Sequence, residues 1–269
     1  MTRATFIAAS FVAIAVLEEV RPLRRRVEGR SRHVLRNIAM AAMSGLATAL
    51  IQERIVRSRA PQQGLLRRLR LPAVVKVAAG VLLLDYSLWI WHWLNHRWSP
   101  LWRFHRVHHV DLDLDSWTGL RFHFGEMSLA GIVRLLQLRL IGPDPLALTI
   151  WQTMLLPSIF FHHSKIALPW DVERALSWVI VTPRMHAIHH SVVRDETDSN
   201  WSSLLSVWDR LHGTFRFDVP EESITIGVPA YQRPEDVTLP RIILLPLSPT
   251  EEDWNASCSF EEHGTSLRQ

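Results

Sequence analysis

The side chains best suited to chemistry in this chain are its histidines, fourteen among 269 residues. His92 and His96 read H-x3-H, while His105, His108 and His109 read H-x2-H-H. His186, His189 and His190 repeat the second pattern. Helical positions i, i+3 and i+4 share a face, so each motif aims two or three imidazoles at one place. Eight imidazoles are too many for a single zinc ion, which takes about four ligands, and they suit two metal ions. Neutral imidazole binds iron, zinc, copper or nickel. His163, which follows an apolar hairpin, is a ninth candidate ligand. His162 beside it and His123 are candidates for either a ligand or a supporting role. His33, His212 and His263 stand apart and read as exposed or structural.

Other chemistries each lack a part. A zinc protease needs a Glu between its histidines, and those places hold Arg106 and Val107, or Ala187 and Ile188. A haem protein needs one or two axial histidines rather than adjacent pairs. The single cysteine, Cys258, excludes a disulfide framework and a cysteine-rich zinc site. Five polar residues are candidates to orient the imidazoles or to join the metal: Asp85, Glu126, Asp198, Asn200 and Asp209. Asp85 lies two helical turns before His92 on the same face, where a carboxylate could accept an imidazole N–H. It also sits inside an apolar run, where an ionisable residue is a functional candidate by default. Asp111, Asp113 and Asp115 alternate after the second motif and read as an acidic loop. No catalytic residue beyond the metal ligands stands out.

The elements that must hold these groups are apolar. Residues 4–17, 37–51, 73–91, 127–141 and 146–161 form hydrophobic stretches, and Gly142, Pro143, Asp144 and Pro145 break the last two apart. Several are shorter than the roughly 20 residues of a straight membrane span. The pair 127–141 and 146–161 therefore reads as a hairpin that dips in and returns, with both histidine-bearing flanks on one side. The predicted fold is all-α: an integral membrane bundle of about four apolar hairpin or spanning helices, with a helical cap carrying the histidine-rich di-metal site. Residues 219–269 read as an irregular tail with one apolar patch at 242–247.

Charge is segregated. Residues 21–70 hold thirteen Arg against two Glu, whereas residues 195–269 hold fourteen acidic residues against five Arg. Arginine runs beside apolar segments suit anionic lipid head groups. No nucleic-acid reading motif accompanies them. Trp89, Trp91, Trp93, Trp98 and Trp102 suggest an interfacial belt. The linkers 21–36 and 52–70 are both basic, and the positive-inside rule would put both in the cytoplasm. That requires a re-entrant 37–51 segment or a shallow hairpin. The sequon Asn255-Ala256-Ser257 is discounted in an acidic tail.

From Asp85 to Phe215 the chain resembles the fatty acid hydroxylase/sterol desaturase superfamily of membrane di-iron oxygenases, as a bacterial member. The resemblance rests on D-x6-H-x3-H (Asp85, His92, His96), W-R-F-H-R-V-H-H from Trp102, and R-F-H-F-G-E from Arg121. F-H-H-S from Phe161, P-R-M-H-A-I-H-H from Pro183, T-D-S-N-W from Thr197 and L-L-S-V-W-D-R-L-H-G-T from Leu204 extend it. The family often has His-Pro where this chain has His123-Phe124, Asn-Tyr-Gly at Asn200-Trp201-Ser202, and Gln at His162. The resemblance implies N-terminal membrane helices and Arg-rich linkers over 1–72, a catalytic domain over 73–218 and a C-terminal tail over 219–269. It implies two iron ions, with zinc as a substitute in purified protein, held by His92, His96, His105, His108, His109, His163, His186, His189 and His190. It further implies O2-dependent hydroxylation of an unactivated C–H bond in a lipid, a fatty acyl chain, sterol or hopanoid. The same site would serve a desaturase, and a non-catalytic metal- or haem-binding membrane protein is the alternative of a different class. Electrons must come from outside, from a ferredoxin- or cytochrome b5-like donor with its reductase, because the chain carries no flavin or nicotinamide fingerprint. That donor implies a site facing the cytoplasm from the bacterial inner membrane.

Overall fold

The structure is a computed structural model that describes residues 1–57 and 64–249. Cys258, His263 and the sequon at Asn255 lie outside the described residues. Among the described residues twelve α-helices follow one another: α1 (Arg3–Val20), α2 (Arg30–Arg57), α3 (Leu65–Arg68), α4 (Ala73–Arg97), α5 (Ser99–His109) and α6 (Phe124–Ile141). Then come α7 (Pro145–His163), α8 (Trp170–Leu176), α9 (Pro183–His189), α10 (Arg194–Thr197), α11 (Val207–His212) and α12 (Leu239–Leu244). Among the described residues there is no strand, only three isolated bridges.

Five long helices, α1, α2, α4, α6 and α7, pack against one another. Their ends fix the path. Arg3 at the start of α1 reaches Gln152 near the middle of α7, and Leu23 just beyond α1 bonds the Lys165 carbonyl just beyond α7. Gly64 abuts Gly142, and Gly80 abuts Ala147 and Pro143, so the chain before α4 meets the tip of the α6–α7 hairpin. The opposite end carries every clustered histidine. The tip turns because Gly142 adopts φ 61°, a left-handed conformation that closes α6. Asp144 then caps α7 by accepting from the Leu146 N–H, with Pro145 in the first turn.

Two of these helices, α2 over Arg30–Ile51 and α4, are long and apolar enough to cross a membrane. Large apolar side chains stay exposed along the bundle, among them Val16, Leu46, Val74, Ile132, Leu140 and Met154. The 37–51 stretch is not a short re-entrant segment, because α2 is a continuous helix of 28 residues. At about 1.5 Å per residue it reaches about 42 Å. The charges that seem to end the apolar stretch do not break the helix: Arg36 is buried and bonds Glu28 and Asp111. The basic linkers consequently lie at opposite ends of the bundle. Nor do all the tryptophans form a belt. Trp98 is exposed, but Trp89 and Trp102 are buried, and Trp102 packs on the rings of His96 and His109.

The cap is built on α5 and α9. Trp102, Val107 and Val110 pack with Met40 of α2 and with Val228, Val237, Ile242 and Leu245. Residues 219–249 are thus drawn into the core, and the apolar patch at 242–247 forms α12 and the turn after it. Buried Arg106, in the second histidine motif, fastens that turn by donating to the carbonyls of Leu245 and Ser248.

Candidate metal centre

The histidine motifs converge where the C-terminal end of α4, the start of α6, the end of α7, and the cap helices α5 and α9 meet. They sort into two groups. His92, His96, His105, His109 and His189 form the first, and His108, His163, His186 and His190 form the second. Within each group one nitrogen from every residue lies within 4.8 Å of all the others, and all nine residues are buried. The motifs are divided between the groups. His105 and His109, one turn apart on α5, belong to the first, and His108 between them belongs to the second. On α9 and the residue after it, His186 and His190 belong to the second group and His189 crosses to the first.

Outward hydrogen bonds fix which nitrogen points in. Nδ1 of His92 donates to the Trp201 carbonyl at 2.8 Å, that of His108 to Arg121 at 3.0 Å, and that of His189 to Ser199 at 2.7 Å. Nδ1 of His163 donates to the Ile159 carbonyl and that of His105 to Glu126 Oε1, both at 2.8 Å. With the proton on Nδ1, each Nε2 presents a lone pair inward, the arrangement typical of metal-binding imidazoles.

Those Nε2 atoms crowd one another. His92 stands 3.1 Å from His105 and from His189, and His163 stands 2.9 Å from His108 and 3.0 Å from His186. Lone pairs so placed repel unless a cation lies among them. His96 Nε2 and both nitrogens of His109 are buried with no hydrogen-bond partner. Protonation is no remedy. Burial first, then the neighbouring imidazoles, hold His108, His109, His186 and His190 well below the ordinary histidine range. Burial brings His189 down to about 3. Neutral, inward-facing nitrogens without partners fit two metal ions, one per group.

The other residues singled out from the sequence take varied places. Glu126 touches a group directly through His105. Asp198 lies 3.9 Å from His96 Nδ1 and bonds Arg194. Asp209 acts one step back: it receives the N–H groups of Trp201 and Ser202, fixing the turn whose carbonyl holds His92. Asn200 holds backbone too, donating to the Met185 carbonyl at the start of α9. Asp85 reaches no imidazole. Seven residues of helix put it about 10 Å from the level of His92. It accepts instead from the indoles of Trp151 and Trp208 and from Leu205 N–H. His123 joins neither group: its Nδ1 caps α6 by accepting from Gly125 N–H, and its Nε2 donates to the Ile243 carbonyl. His162 packs beside His163 and His186 outside both groups.

A buried polar network beneath His108 carries no signature in the sequence. Asp111 is fully buried and is reached by Arg121 and Arg36 at 3.0 Å, by His33 at 3.1 Å and by Thr118 at 2.9 Å. Burial works to raise its carboxyl, but Arg121, His33 and Arg36 outweigh that and hold it well below the ordinary range. Arg121 also bonds the Val107 carbonyl at 2.9 Å, and its own carbonyl receives His108. The alternating acids are therefore no solvated loop, and His33 is a buried part of the same network.

An apolar cavity opens on the histidines from between α4, α6 and α7. His92, His105, His108, His163 and His186 form one end, and Leu88, Met127, Val133, Leu155 and Ile159 form its walls. A helical bundle with two buried histidine groups at one end of an apolar cavity defines a class of histidine-rich helical proteins that could hold metal ions. Within that class, the fatty acid hydroxylase family model matches residues 77–214, and the chain belongs to that family. It is 31% identical to an ornithine lipid hydroxylase of Rhizobium tropici over 58% of this chain and 46% of that protein. It is 30% identical to an alkylglycerol monooxygenase of Xenopus tropicalis over 54% of this chain and 31% of that one. The human cholesterol 25-hydroxylase is 24% identical, over 51% of this chain and 49% of its own length. The chain thus spans about half or less of these relatives. No solved structure matches it.

Proposed function

We propose that the chain is a membrane-bound oxygenase that hydroxylates an unactivated C–H bond of a lipid, using O2 and two electrons from a partner reductase. The observation that carries this reading is the pair of all-nitrogen histidine groups at one end of an apolar cavity. The ornithine lipid, alkylglycerol and cholesterol enzymes it resembles are named for oxidation of lipids, which supports a lipid substrate here.

The nine histidines would hold two iron ions, which when bound supply the reduction of O2 and the attack on the C–H bond. The chain supplies the rest. The α4, α6 and α7 walls take up an acyl or sterol skeleton and keep water from the reacting carbon. Glu126 holds the Nδ1 proton of His105, and backbone carbonyls do the same for His92, His108, His163 and His189, so every Nε2 stays available. The exposed apolar belt sets the bundle in the bilayer, so substrate enters sideways from lipid. The histidine end faces the cytoplasm of the inner membrane, where an electron carrier can reach the cap. Residues 73–218 form the catalytic domain, and α2 braces it through Arg36 and His33.

The test is turnover of total membrane lipid by iron-loaded protein with a reductase system and isotopically labelled O2. The expected product is a lipid alcohol carrying one labelled oxygen, absent with His108→Ala. A reduced product mass without label would indicate desaturation instead. No O2-dependent product from any lipid class would contradict the proposal.

A further inference from the structure

Arg134 lies on α6 eight residues beyond Glu126, so it sits about 12 Å deeper along the bundle at about 1.5 Å per residue. Its guanidinium stacks on the ring of Trp151 at 4.2 Å, and Trp151 is buried, with its indole N–H donated to Asp85. One terminal nitrogen of Arg134 is buried with no hydrogen-bond partner. Of the residues lining the apolar cavity, Arg134 is the sole Arg or Lys. The sole carboxylate there, Glu126, is occupied by His105. Buried Gln137 lies one turn beyond Arg134 on the same wall.

A guanidinium stays charged under all conditions proteins meet. Stacking on an indole offsets part of its burial. It does not fill the donor positions, and an uncompensated charge in a low-dielectric bundle is strongly destabilising. Inside the membrane such a residue marks a functional site. What completes it is an anion that presents oxygen to the planar fork of donors, a geometry that carboxylate and phosphate both match.

We infer that Arg134 docks the anionic oxygen of an amphipathic lipid, a carboxylate or a phosphate, whose chain then runs toward the histidine groups. This rests on the cavity being the substrate site, as proposed above. With the anchor about 12 Å along the bundle from the level of Glu126, the oxidised carbon lies several carbons along the chain from the anionic group.

The test is binding to the full chain in neutral detergent, followed by tryptophan fluorescence, with dodecanoate, dodecyl phosphate and dodecanol as probes. The variants are Arg134→Met and Arg134→Lys. A charge-assisted hydrogen bond to the buried guanidinium should make an anionic probe bind at least about tenfold tighter than dodecanol. The preference should vanish in Arg134→Met and persist in Arg134→Lys, which keeps the charge and controls for folding. Whichever anion leads identifies the group, carboxylate or phosphate. Equal binding of all three probes, or a preference that survives Arg134→Met, would overturn the inference. Metal content of the same samples reads the oxygenase proposal separately. Anion preference in a protein that takes up no metal would keep the anchor and discard the oxygenase.

Discussion

The two histidine groups differ in what stands behind them. The five-histidine group is backed by charge and by a fixed turn: Glu126 on His105, Asp198 near His96, and Asp209 holding the turn that receives His92. The four-histidine group is backed by neutral carbonyls at His108 and His163, and Nδ1 of both His186 and His190 has no partner. Its charged support lies deeper, in the Asp111–Arg121 network, and acts through the backbone. A carboxylate behind an imidazole raises its basicity, whereas a carbonyl mainly orients it. If both groups hold metal as proposed, the first would retain it tightly through five donors. The other has four donors and more freedom to change its surroundings during turnover.

That contrast can be broken most directly by removing donors. His163→Ala leaves three donors in its group, and His109→Ala leaves four. Elemental analysis should show about one metal ion lost per chain in His163→Ala, with partial retention in His109→Ala, since four donors still make a closed site. Equal loss in both would erase the distinction. Next in size is Asp111→Asn, which strands Arg121, Arg36 and His33 beneath the four-histidine group. Breaking a buried pair on one side costs about 3–5 kcal/mol, to be read by chemical denaturation. An unchanged midpoint would remove the network from the account.

Glu126→Gln should act on the five-histidine group alone, weakening metal retention there by about 10–100-fold in a chelator competition. Equal weakening at both groups would show that the carboxylate serves the whole centre. A further test is the pH dependence of the metal-stripped protein. Its buried histidines outside the membrane are held neutral, His189 down to about 3 from an ordinary 6.5. Below pH 6.5 the unfolded chain binds the more protons, so stability should fall as pH drops from 6.5 toward 3. Asp111 contributes only at lower pH, as its depressed carboxyl protonates below the ordinary 3.8. A Tm independent of pH between 6.5 and 5 would contradict the buried, neutral assignment.

Much of this was legible in the histidine spacing, because helical periodicity fixes which residues share a face. The partition between groups was not. His105 and His109 point one way while His108 points the other, and which neighbour each meets depends on how α5 packs against α9. The hairpin was legible from Gly142 to Pro145, since those residues cannot continue a helix. The length of α2 was not, because Arg36 reads as a terminus until Glu28 and Asp111, the latter 75 residues away, are seen to neutralise it. Asp85 misled for a related reason: sharing a face with His92 does not bring it within reach. Asp111 read as part of an acidic loop because its partners lie on two distant segments, 33–37 and 118–121, that only the tertiary structure assembles around it.

Whether the two histidine groups hold two separate metal ions is read most directly from the metal-to-protein ratio of the wild-type chain. Purified protein loaded anaerobically with ferrous iron and freed of excess should retain about two ions per chain, consistent with two sets of four or more donors. A ratio of one, or retention of none, would contradict the assignment of the histidines to two metal-holding groups.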